Sequence, residues 1–175
     1  MPVSRRVRPR ISRKLLAFAT LGVAMIALPT LLAPAPRLIW NASASAPIGF
    51  YLIRPGANWR EGDTVLVRIP QRHSMLAAQR GYLPPAVPLI KRAAVIGPGT
   101  ICARGEEILL DGEWIAQRRR ADRQGRALPA WQGCLDLRSN MVFLLGEGPW
   151  SFDSRYFGPV PTDNVIGSAR WIGRP

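Results

Sequence analysis

The chain has 175 residues, enough for one domain of ordinary size plus a short extension and too few for two well-packed domains. Its formal charge of +13 is unevenly spread, because Arg5, Arg6, Arg8, Arg10, Arg13 and Lys14 crowd into the first fourteen residues with no acid among them. Beyond them eighteen basic residues face eleven acidic ones, so the body is only moderately basic and charge alone does not make it a nucleic-acid binder.

After this basic head, 1–14, residues 15–33 run nineteen positions without a charge. At 1.5 Å rise per residue, a helix of that length spans roughly 28 Å, close to the hydrocarbon core of a bilayer. The pattern predicts a transmembrane anchor over 15–33, with the basic head cytoplasmic by the positive-inside rule. Ala33-Pro34-Ala35 has the small-x-small form of a cleavage site, but Pro36 would follow the cut, so a retained anchor is expected rather than a removed signal peptide. The body, 37–175, is then expected in the periplasm, tethered to a bacterial inner membrane.

Seventeen prolines and sixteen glycines punctuate the chain, and helix signals in the body are scarce. Strands are predicted at 38–41, 49–53, 64–69, 89–96, 108–110, 114–117, 141–146 and 165–172, with Asp111-Gly112 as a tight hairpin. A short helical turn is predicted near 74–80. Many short strands with one small helix predict a mainly β, compact domain with barrel-like antiparallel curvature, preceded by the single helix. Cys102 and Cys134 fall in the segment assigned to an oxidising compartment, where either a disulfide closing a loop of about thirty residues or two buried thiols would fit. With one histidine, His73, and no close cysteine pair, no metal site can be assembled at familiar spacing, and no cofactor is expected.

Lys91 is the only lysine after residue 14, every other basic position in the body being arginine. Taken alone, this favours lysine-poor codon usage, and it is the neighbourhood that adds weight to a chemical role. The run V-P-L-I-K-R-A-A-V-I-G suits a buried strand, where an unpaired ammonium is costly and the lysine shifts toward its neutral form. Arginine, with a pKa above about 12, cannot serve as a base; a desolvated lysine can. His73, set between Arg72 and Ser74 on what reads as a polar loop, is a poor candidate for a Ser-His-Asp triad. The dense cluster Arg118, Arg119, Arg120, Arg123 and Arg126 lacks interleaved aromatics and reads as a solvated loop, with anionic lipid headgroups as the other simple partner; no nucleic-acid partner is expected.

Several boxes occur in order: S-A-P-I-G-F-Y from Ser45, E-G-D-T-V-L-V from Glu61, P-L-I-K-R-A-A-V-I-G-P-G around Lys91, the E-E-I-L-L-D-G-E-W hairpin, and D-S-R-Y-F-G from Asp153. Together they resemble the signal peptidase I superfamily, and most closely its conjugative-transfer, TraF-type branch. General leader peptidases carry S-M-x-P, whereas here alanine follows Ser45 and Pro47 comes one position earlier, which favours the conjugative branch. The resemblance implies a membrane-anchored serine endopeptidase that cleaves precursor proteins, a prepilin or another conjugation component, after small residues. It assigns Ser45 as nucleophile and Lys91 as general base, with the Ser45 N–H and the Ser43 hydroxyl as oxyanion donors. Ser151 would orient the Lys91 amine, and Asp153 with Arg155 would brace the loop. In the conjugative branch the aspartate of this box is also tied to joining pilin ends, so the resemblance implies a catalytic part for Asp153 as well. A general leader peptidase, a non-catalytic assembly protein of a secretion apparatus and, last, a membrane-tethered DNA binder are the competing readings.

Overall fold

The computed structural model describes residues 12–32 and 35–174, which fall into two units, Met1–Ala35 and Pro36–Pro175. Most of the expected basic head, up to residue 11, lies outside the described residues, as do Ala33 and Pro34. In the first unit α1 (Arg13–Leu32) is a helix of 20 residues. Among the described residues no helix is long and apolar enough to cross a membrane; the segment expected as an anchor, 15–33, is helical as far as Leu32. Arg13 and Lys14 occupy its first turn, ahead of an uncharged remainder about 27 Å long.

The second unit is mainly β. A seven-stranded antiparallel sheet contains β1 (Leu38–Asn41), β2 (Gly49–Pro55), β3 (Thr64–Val67), β4 (Leu89–Ile96), β9 (Met141–Leu145), β10 (Val160–Pro161) and β11 (Val165–Gly173), in the order β1-β2-β11-β3-β4-β9-β10. A smaller sheet contains β5 (Gly99–Arg104), β6 (Glu107–Leu110), β7 (Glu113–Gln117) and β8 (Gly133–Leu137), in the order β7-β6-β5-β8. The helices of this unit are α2 (Gln71–Gln79) and the short α3 (Ser154–Phe157). Register shifts in β4 between Ala93 and Val95, and twice in β11, add residues to one strand of a pair and curl the large sheet. The expected curvature is therefore there, but the sheet is open: β1 and β10 are its edges.

Strand β9 divides the interior by simple alternation. Val142 and Leu144 face one core with Val65, Val67 and Phe157, while Phe143 and Leu145 face a second with Ile101, Ile108 and Leu137. Strand β3, central and covered on both sides, buries three consecutive residues, Val65 to Val67. Strands β5, β8 and β10 were not anticipated in the sequence. Strands β5 and β8 both begin at glycine, and their pairing sets Cys102 opposite Cys134, which form a disulfide. His73 is corrected from a polar loop to a buried position on α2, 5.7 Å from the Phe157 ring and 6.4 Å from that of Phe152. Burial, followed by the Arg72 charge, lowers its pKa, and its Nδ1 has no hydrogen-bond partner.

Because the disulfide joins residues 32 apart, replacing both cysteines by serine should cost about 3–4 kcal/mol in denaturant titration of the full chain in detergent. The same titration of the wild type under strong reductant should show an equal shift.

Candidate active site

Lys91 stands opposite Val65 in the β3–β4 ladder, and only 2 % of it is exposed. Its strand lies between β3 and β9, and burial there strips the ammonium of its water. Its pKa is pushed down to about 8, chiefly by burial; the Arg155 charge lowers it further and the Asp153 charge opposes both. Lys91 Nζ donates to Ser151 Oγ at 2.7 Å, a contact across 60 residues of sequence.

The serine loop is held by short-range bonds instead. Asn41, the last residue of β1, donates from Nδ2 to the carbonyls of Ser43, Ala46 and Pro47 and accepts the Ser43 N–H at Oδ1. Tyr51 Oη donates to the Pro47 carbonyl at 2.9 Å, fixing the exit of the loop. Within it, Ser43 Oγ and Ser45 Oγ are 2.8 Å apart, and the Ser45 N–H donates to Ser43 Oγ at 3.3 Å. The two groups expected to hold an oxyanion thus hold each other. Among the described residues Ser45 and Lys91 share no hydrogen bond. Both line one cavity of about 450 Å³, together with Ser43 and Ser151.

The third wall comes from the loop 146–155. Asp153 is fully buried and accepts from the backbone N–H groups of Gly146 and Arg155 and from the Arg155 guanidinium, at 2.8 Å from Nε and 2.6 Å from Nη2. Arg155 also donates to the carbonyls of Gln117, Gly148 and Ser151, so the buried cation is fully engaged. Ser154 Oγ accepts from the Leu144 N–H at 3.0 Å, which ties the same loop to β9. Every residue expected at the site is accordingly gathered around the cavity or its supporting loop, apart from the direct Ser45–Lys91 bond.

Sequence reasoning missed Gly146. A Cβ built there would stand 2.0 Å from Ser151 Oγ, 2.6 Å from Ser151 Cβ and 3.0 Å from the Ser45 carbonyl oxygen, so only glycine lets the three segments meet. The signal was a glycine ending an apolar run, which is common and therefore uninformative alone. The arginine cluster also differs from a solvated loop. Arg118 is buried, its guanidinium donating to the carbonyls of Gly105 and Trp131. Arg120 pairs with Glu106, and Arg126 pairs with Asp122, which Tyr82 also contacts. Arg119 and Arg123 stack on Trp150. The aromatic partner is supplied by the fold from thirty residues away, where no local pattern reveals it.

A family profile described as signal peptidase, peptidase S26, matches residues 11–173. The chain belongs to the peptidase S26 signal peptidase family. Among relatives of this signal peptidase family member is a "Probable conjugal transfer protein TraF" of Sinorhizobium fredii, 32% identical over 145 residues, covering 75% of this chain and 74% of that one. A "Conjugal transfer protein TraF" of Agrobacterium fabrum is 31% identical over 143 residues, covering 74% of this chain and 78% of the other. Among solved structures, a signal peptidase I of Enterococcus faecalis aligns over 64% of this chain and 97% of its own, at 19% identity and a TM-score of 0.38.

Replacing Asp153 by alanine leaves the Arg155 charge buried without its counter-ion, and should lower stability by about 3–5 kcal/mol in urea titration. Gly146→Ala, which forces Ser151 off its position, should cost about 1–3 kcal/mol by the same measurement.

Proposed function

We propose that this member of the family is a membrane-anchored serine endopeptidase that cleaves a precursor protein, a prepilin or another component of a conjugative apparatus, in the bacterial periplasm. The observation that carries the reading is a single buried lysine with its pKa lowered to about 8, in one cavity with Ser45. The conjugation context is supported by the two TraF relatives. The anchor is supported by α1, whose side chains Leu15, Leu16, Phe18, Leu21, Val23, Met25 and Ile26 point in all directions and are exposed. Arg13 and Lys14, at its end, carry charges on long stems able to reach headgroups.

In this mechanism, Ser45 leaves its contact with Ser43, and its hydroxyl proton passes to neutral Lys91 Nζ as Oγ bonds to the scissile carbonyl carbon. Hydrogen-bonded catalytic groups commonly tighten only when substrate is present. The carbonyl electrons move onto oxygen, where the Ser45 N–H and Ser43 hydroxyl, released from each other, receive the charge. Collapse breaks the C–N bond, and Lys91 returns the proton to the departing amine. Lys91 then takes a proton from water as it attacks the acyl-serine; collapse breaks the bond to Ser45 Oγ, Lys91 returns that proton to Oγ, and the released acid ionises to a carboxylate. Ser151 keeps the lysine amine aimed throughout, and Asp153 and Arg155 hold the loop from which Ser151 projects. Preference for a small residue beside the scissile bond follows the family.

Ser45→Ala and Lys91→Arg should each abolish processing of a coexpressed precursor while leaving a folded protein, and His73→Ala should remain active. Full activity in Lys91→Arg would rule out the general-base role. Since the base works only when neutral, kcat/KM should rise with pH through about 8 and level off above it. The unfolded chain holds the Lys91 proton more tightly, so this group's contribution to stability should increase as pH rises from about 8 to 10.5.

A further inference from the structure

Five arginines lie between residues 118 and 126, and the structure divides them by partner. Arg118 is spent on two backbone carbonyls. Arg120 has Glu106 at 2.6 Å, and Arg126 has Asp122 at 2.7 Å. Asp122 is further occupied by Tyr82 and by Arg80 at 4.0 Å. Glu147, three residues before Trp150, acts electrostatically on Tyr51. Arg119 and Arg123 are left, among the described residues, without an acidic partner.

Both are exposed, and both sit against the same ring: their guanidinium carbons are 3.9 Å and 5.4 Å from the Trp150 centroid. The indole face attracts each cation, but two like charges on one ring repel each other. The segment that carries them is anchored, because Arg118 is pinned in the interior and the Arg119 N–H donates to Tyr156 Oη at 3.1 Å. An anion bridging the pair would relieve the repulsion and accept charge-assisted hydrogen bonds from two planar forks. Arg123 and Trp150 line the cavity that also contains Ser45 and Lys91, and Trp150 directly precedes Ser151. Whatever anion binds there is therefore within reach of a chain lying in the cleft.

We propose that Arg119 and Arg123, arranged on Trp150, form a subsite for an acidic side chain of the substrate polypeptide close to its scissile bond. Calling the bound chain a substrate rests on the peptidase reading above; the binding itself does not. The charge, and the presence of Arg123 and Trp150 in the cavity lining, favour a carboxylate of the polypeptide in the cleft over a lipid headgroup, which has no need of the cavity. Selectivity would then have two parts, a small residue at the bond and an acid nearby.

The test uses full-length Ser45→Ala protein in non-ionic detergent and a fluorescein-labelled dodecapeptide of small residues carrying either two glutamates or two glutamines. Fluorescence anisotropy at low salt should show the glutamate peptide bound roughly tenfold more tightly, with the advantage shrinking as salt screens the pair. In Arg119→Gln/Arg123→Gln the two peptides should bind alike, and the paired lysine replacement should recover part of the preference. Equal binding of both peptides to the parent protein, or a preference that survives the double glutamine replacement, overturns the proposal. So does a result in which the double replacement changes only binding to phosphatidylglycerol vesicles, which would make lipid the ligand. Preference for glutamate by Ser45→Ala together with no cleavage by wild-type protein would sink the peptidase reading and leave the subsite standing.

Discussion

The buried ion pair of Asp153 and Arg155 is the constraint on which the site depends. Removing two charges from water costs several kcal/mol each, and only dense hydrogen bonding offsets it. Here Asp153 gathers the Gly146 N–H as well as the guanidinium, and Arg155 gathers carbonyls from β7 and from both ends of the 148–151 turn. The pair thus joins the two sheets to the loop that presents Ser151. It also sets the field at Lys91. Asp153 and Arg155 act on the lysine in opposite senses, which leaves burial as the deciding influence on its proton.

The two halves of the cavity are built on different length scales. Ser43 and Ser45 are held by Asn41 and Tyr51, all within a few residues, so their loop has the character of a local turn closed by a side-chain amide. Lys91 is held by strand pairing and by Ser151, which are distant in sequence. A disturbance of the core therefore reaches the lysine more readily than the serines. Near the cavity mouth the arginine segment uses a third device, with buried Arg118 as its anchor and Trp150 as its platform.

Much of this was legible in the chain, for identifiable reasons. The strand at 89–96 was found at its true bounds because an apolar run between prolines and a glycine can hardly be anything else, and the lone lysine in it marked itself by composition. Strand β1, and β9 with one residue too many, were visible for similar reasons. Strands β5 and β8 were not, because both begin at glycine, which is depleted in strands, and the pairing that sets Cys102 opposite Cys134 joins residues 32 apart in sequence. The arginine cluster was misread because its aromatic partner is remote. His73 was misread because flanking polar residues on α2 say nothing of the positions, His73 and Ala77, that turn inward. The Asp-Ser-Arg box declared its residues but not the short α3, whose first turn Asp153 caps.

Strand β9 acts as a ruler for the cavity. Its alternate residues are committed to two separate cores, so its register cannot slide by one without sending Phe143 and Val142 each into the space fitted for the other. Gly146 is the next residue after that strand, and its missing side chain is the clearance between Ser151 and the carbonyl of Ser45. Two greasy interiors with no polar role of their own thereby fix, to within an atom's width, how far apart the polar walls of the cleft can stand.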